Sequence, residues 1–191
     1  MICFHGTTTK GLQCILDNVG SKPFAPWVCS EDDGMMYVYP LNKVAENHCT
    51  EDEEETISRG LDSAFESAQI QCAIAQEETM YVLVLDIPDN LLEDDCSCEN
   101  MSDVASMLEM TEFNTSMVKS VYECSFNKWY APFVLVGILD NPQFNVDCLD
   151  KPLLDLAERL RETEYFMYEL LEFDYTNVTE TVLNSGADQY E

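Results

Sequence analysis

Cations are scarce in this chain. Its 191 residues hold nine Lys and Arg against 37 Asp and Glu, a formal net charge of −28. A protein that neutralises nucleic-acid phosphates needs a basic stripe, and so few scattered cations do not form one. The same imbalance disfavours docking on anionic membranes. No stretch approaches the roughly 18 apolar residues that a membrane-spanning helix needs. The opening Met1-Ile2-Cys3-Phe4-His5-Gly6 lacks the basic start and long apolar centre of a secretory signal. There are only seven glycines, and neither Gly-x-x-x-x-Gly-Lys nor Gly-x-Gly-x-x-Gly occurs, so no familiar phosphate cradle is encoded. Two histidines and no Gly-x-Ser-x-Gly elbow leave little for nucleophilic catalysis. Internal repeats and low-complexity linkers are also missing.

What is there argues for a folded body. Hydrophobic residues make up 46% of the chain and aromatics 10%, far from the composition of a solvated acidic tail. At this length one domain is expected, and we place it at 1–175, with a polar, loose tail at 176–191. The nine cysteines are odd in number and read as reduced, half-buried thiols of a cytoplasmic protein. Cys96-Ser97-Cys98 is the one close pair, and no second pair stands at zinc-finger spacing, so no metal is expected. The acidic loop at 89–95 lacks the Asp-x-Asp-x-Asp-Gly pattern of a calcium site.

Periodicity outlines the elements. Residues 2–5 read as a short buried strand. Leu12, Ile15 and Leu16 fall on one face of a helix over 8–18. Trp27 to Ser30 reads as a second strand, and Met35 to Tyr39 as either a strand or the start of a short helix. Thr50 and Glu53 fit a capping box, followed by acids that suit the helix dipole. Ile57, Leu61, Ala64, Phe65, Ala68, Cys72 and Ala75 then step at three and four, which predicts a long helix to about 77. Met80 to Ile87 is an almost continuous apolar strand closed by Pro88. Residues 103–110 suggest a short helix. Val118 to Phe126 alternates as a strand, and Phe133 to Leu139 reads as its antiparallel neighbour. A last helix starts after Asp150, with Pro152 just inside, and runs to about Phe173. Together these give an α+β chain.

One constellation carries chemistry. Phe4-His5-Gly6-Thr7 ends the first strand and leads into a helix; Trp27-Val28-Cys29-Ser30, Tyr37 and Tyr39 follow. This arrangement resembles the NAD-binding half of the ADP-ribosyltransferase superfamily, in the His-Tyr-Glu branch of the diphtheria-type toxins and poly-ADP-ribose polymerases. The resemblance implies a split mixed or antiparallel sheet core with flanking helices and a C-terminal helix. It implies that His5 bonds a ribose hydroxyl, that the Gly6 backbone receives the nicotinamide carboxamide, and that Thr7 helps hold the ribose. Ser30 matches the serine that ends the second strand, although Cys29 stands where the family usually has an aromatic. Tyr37, with Tyr39 as the alternative, would stack on nicotinamide. Glu123, on the late strand, is the first candidate for the family glutamate, and Glu99 is the reserve. Breaking the nicotinamide–ribose bond builds positive charge on the sugar, and a carboxylate bonded to the ribose stabilises it.

The charge of −28 opens a second expectation. NAD carries a negative pyrophosphate, which such a field repels; Lys10 is the one cation near the His-Gly-Thr string. So dense a negative surface also imitates nucleic-acid phosphates. On that reading the chain is an inactive acidic inhibitor of the kind made by viruses of bacteria, blocking the basic groove of a host nuclease or defence complex. The expected partners are a protein or nucleic-acid acceptor in the first case and a basic host protein in the second.

Overall fold

A computed structural model describes residues 1–17, 35–94, 105–137, 139, 150–161 and 178–182. Its strands are β1 (Ile2–Thr8), β2 (Met35–Pro40), β3 (Thr79–Asp86), β4 (Leu92–Asp94), β5 (Ser106–Glu109), β6 (Val118–Ser125) and β7 (Thr179–Val182). Its helices are α1 (Thr9–Leu16), α2 (Leu41–His48), α3 (Glu53–Ala75), α4 (Ala131–Val136) and α5 (Lys151–Arg161). The expected α+β class is what forms. The seven strands join in the order β4-β5-β2-β1-β3-β6-β7, and every neighbouring pair is antiparallel.

The pairing is uneven. β1 is laddered to β3 along its full length, from Ile2↔Asp86 to Thr8↔Met80. It meets β2 only at Cys3↔Pro40 and Phe4↔Tyr39. Yet β2 is paired to β5 from Met35↔Glu109 to Val38↔Ser106. From His5 onward the sheet therefore parts into two halves, β4-β5-β2 and β1-β3-β6-β7.

Each face of the sheet buries its own core. On one side Phe4, Met80, Val82 and Cys124 pack under α3, α4 and α5 through Ala64, Phe65, Ala68, Leu135, Leu153 and Ala157. On the other side Cys3, Val38, Leu83, Leu85 and Leu108 pack with Ile15 of α1, and with Met110 and Phe113. Strand alternation sorts neighbours onto opposite sides, which is why β3 reads as a continuous apolar run: both of its faces are covered.

The helices start where local chemistry satisfies their free N–H groups. The Thr8 side chain caps α1, accepting from the Gly11 N–H at 3.2 Å. For α3 the cap is Asp52, which accepts from the Glu55 N–H at 2.9 Å. Thr50, chosen by the capping-box reading, instead lies 2.7 Å from the Thr56 hydroxyl. Asp150 does cap α5, accepting from the Leu153 N–H at 3.3 Å.

Several expectations need correction. Residues 106–109, expected as a helix, form β5, because the slot between β2 and β4 offers backbone partners and a buried face. Residues 133–136, read as the start of a strand over 133–139, instead belong to the helix α4, with Pro132 in its first turn and nearly every side chain buried. Met35–Pro40 is a strand, and a helix that periodicity did not signal, α2, follows it. β7 falls within the expected loose tail and pairs with β6 from Ser120↔Val182 to Glu123↔Thr179. The strand expected at 27–30 and the C-terminal helix beyond Arg161 lie outside the described residues. Among the described residues no helix is long and apolar enough to cross a membrane.

Candidate functional site

His5 sits where the sheet parts. Its Nδ1 lies 2.6 Å from the Tyr37 carbonyl oxygen, so the imidazole donates there. This side-chain bond takes a carbonyl that a continuous β1–β2 ladder would have used. The donor role fixes the proton on Nδ1 and leaves Nε2 as an acceptor. Burial lowers the His5 pKa below the usual imidazole value, and the bond to Tyr37 only partly opposes that. The ring is thus held neutral.

This has a pH consequence. A group whose folded pKa is depressed favours the folded state only while it is neutral. The contribution is complete above the ordinary value near 6.5 and is lost as pH falls through the lower folded value. Urea unfolding of wild type and His5→Asn from neutral pH to pH 5 checks this. The wild type should lose stability relative to the variant towards acid; a constant difference would contradict the half-buried neutral ring.

At Gly6 the backbone of β1 comes against the backbone of α3. A Cβ there would lie 1.7 Å from the Ala64 carbonyl oxygen and 3.0 Å from the Ala68 nitrogen. The Gly6 carbonyl accepts from Gln71 Nε2 at 3.0 Å. Thr7, next in line, is only 2% exposed. It lies under Gly11, where a Cβ would come within 2.0 Å of the Thr7 hydroxyl. Tyr39 packs beside the Phe4 core.

The three residues expected to form the catalytic set divide between the two faces. His5 is paired to Leu83, and Glu123 to Tyr81, so both lie on the α1 side of the sheet. They are two strands and two residues apart, about 12 Å between Cα atoms. Tyr37 shares the parity of Tyr39 and belongs to the α3 side; its carbonyl, not its ring, meets His5. Glu123 is exposed and bonded to the Tyr81 hydroxyl. Partial burial first, then Glu123, raises the pKa of that phenol. Ser30 and Glu99 lie outside the described residues.

Two residues at the site went unread in the sequence. Gln71 falls on the sheet-facing side of α3, three residues after Ala68, and a polar group on that stripe was a usable signal. Tyr81 gave none, since within an almost continuous apolar run it looked like ordinary strand. The buried thiols of Cys3 and Cys72 are each pushed up to about 12, chiefly by desolvation, which makes them poor nucleophiles. Among the described residues no three His, Cys, Asp or Glu side chains are placed to hold a metal ion. No protein-family model, curated protein or solved structure matches the chain.

Proposed function

We propose that the parting between β1 and β2 binds NAD and that the protein transfers ADP-ribose to a macromolecular target. The observation that carries this reading is His5: a neutral imidazole at the parting, oriented through Nδ1, with Nε2 left to accept from a ribose hydroxyl. Gly6 and Thr7 follow it, as the resemblance requires, but both are committed to packing. They support the site from beneath rather than touch the ligand.

In the reaction the nicotinamide–ribose bond breaks and nicotinamide leaves with the electron pair. The sugar carbon then bonds to an acceptor oxygen or nitrogen, whose proton is released. His5 orients the ribose. A carboxylate must stabilise the charged sugar. Glu123 is held by Tyr81 and stands far from His5, so on this reading the carboxylate is Glu99, in the stretch joining β4 to β5.

Labelled NAD tests the proposal. Wild type should release nicotinamide and label an acceptor in cell extract. His5→Asn keeps a donor for the Tyr37 carbonyl but leaves no acceptor at the Nε2 position, its Oδ1 falling nearer the ring's Cδ2, and its transfer should fall by about a hundredfold, the scale of losing one transition-state hydrogen bond. Glu99→Gln should fall similarly, and Glu123→Gln should stay within about threefold of wild type. Wild type that neither binds NAD nor releases nicotinamide refutes the reading.

The charge of −28 favours one alternative, an inactive acidic inhibitor that occupies the basic groove of a nucleic-acid enzyme. It gains if wild type ignores NAD and captures a basic nuclease or defence protein at low salt.

A further inference from the structure

The turn between β6 and α4 presents an aromatic ledge. Trp129 is 67% exposed, the most open of the large apolar side chains among the described residues. Its ring is not loose. Tyr130 meets it edge-on with centroids 5.7 Å apart, and Phe133 lies tilted against it at 5.4 Å. The backbone beneath is pinned at both ends of a short 3₁₀ turn. The Asn127 side chain accepts from the Trp129 N–H at 3.0 Å, and the Asn127 carbonyl accepts from the Tyr130 N–H at 2.8 Å. Lys128, the adjacent cation, is drawn to Glu78 at 3.2 Å, so its charge is turned into a pair.

A rigid indole with an open face has a defined use. It offers a large contact area at little entropic cost, and its negative π face attracts cations, arginine above all. The surrounding field has the matching sign, since a net charge of −28 draws cationic segments towards any part of this surface. Charge alone supplies encounter; the stacked ring supplies a place to stop. We propose that this ledge, Trp129 backed by Tyr130 and Phe133, docks an arginine-bearing segment of a basic partner protein. The ledge follows the Ser125 end of β6, which is paired to Thr79, and that is the end of the sheet towards which β1 runs from His5 to Thr8. A partner seated there is held at the end where the sheet parts. The inference does not depend on NAD chemistry, and its test reads different signals.

The test uses the full chain. In a Trp27→Phe background Trp129 is the sole indole, and its emission should be that of a water-exposed ring. A fluorescently labelled oligo-arginine peptide should bind with a saturable rise in anisotropy and should change the Trp129 emission. Oligo-lysine should bind more weakly, because ammonium stacks less well on an aromatic face than guanidinium. Trp129→Ala should weaken oligo-arginine binding by about tenfold, whereas Trp129→Phe retains most of it. Circular dichroism of both variants confirms that they fold. Equal affinity for the Trp129→Ala protein would show charge attraction alone and overturn the proposal. So would blue-shifted emission from the free protein, which would mean that the chain's own residues cover the ring.

Discussion

Gly6→Ala should lower the free energy of unfolding by about 3 kcal/mol, at the upper end of what overpacking costs. The reason is the identity of the atoms in the way. The added Cβ falls 1.7 Å from the Ala64 carbonyl oxygen and 2.7 Å from its carbon, both backbone atoms of α3. No rotamer change relieves such an overlap. Either α3 retreats from β1 or the strand bends, and both open the core around Phe4 and Ala68. Urea titration should show a lower midpoint with an unchanged slope. A loss below about 1 kcal/mol would mean that the helix does not ride this close to the strand. The same variant separates two meanings of the glycine. If Gly6 served only to admit a ligand amide, alanine would spare stability and weaken NAD binding.

Phe4→Ala should cost about 3–5 kcal/mol, as expected for a fully buried aromatic. Phe4 is 1% exposed, and its ring lies over Gly60, where a Cβ would come within 2.4 Å of Cε2 and 2.5 Å of Cδ2. In an open helix interior, replacing glycine with alanine gains about 1 kcal/mol. Here the ring reverses the sign, because overpacking costs about 1–3 kcal/mol and outweighs the propensity gain. A double-mutant cycle with Gly60→Ala and Phe4→Leu measures the contact. The smaller, more flexible leucine leaves room for the new methyl, so the double variant should lose less than the two singles together. Strict additivity would rule out ring-on-glycine packing.

The parts of the fold legible in the sequence are those whose pattern is enforced locally. The period of α3, the apolar run of β3, the Asp150 cap and the alternation of β6 all reflect nearest neighbours on a single element. β5 was unreadable because Met107, Leu108 and Glu109 have helical preferences, and only the flanking strands β2 and β4 make them extended. α4 failed in the opposite direction. Val134 and Val136 favour strands, but burial against α3 and α5 selects a short helix. The cap of α3 slipped by two residues because Thr50 and Asp52 both satisfy the spacing rule; the Thr50–Thr56 hydroxyl contact decided between them.

The site was legible to a similar degree. His5-Gly6-Thr7 marked the place where the sheet parts, although β1 runs on to Thr8, so the string lies inside the strand and not at its end. What each residue does there depends on distant partners: the Tyr37 carbonyl for His5, α3 for Gly6, α1 for Thr7. Glu123 was correctly placed on a late strand, yet its neighbour Tyr81, on a strand read without chemistry, is what occupies it.

The two outermost of the described strands share one property. β4 carries Glu93 and Asp94, and β7 carries Glu180. An open strand border is where separate chains join into aggregates. Among the described residues the guard is Coulombic rather than steric: neither border strand holds a proline, and with Asp94 paired to Lys43 at 2.8 Å the free charge rests on Glu93 and Glu180. Such a guard reaches only about a Debye length, near 10 Å in 0.1 M electrolyte and 3 Å in 1 M. Colloidal stability is thus tied to the ions of the medium: dilute buffer keeps copies dispersed, and concentrated brine brings border meeting border within reach.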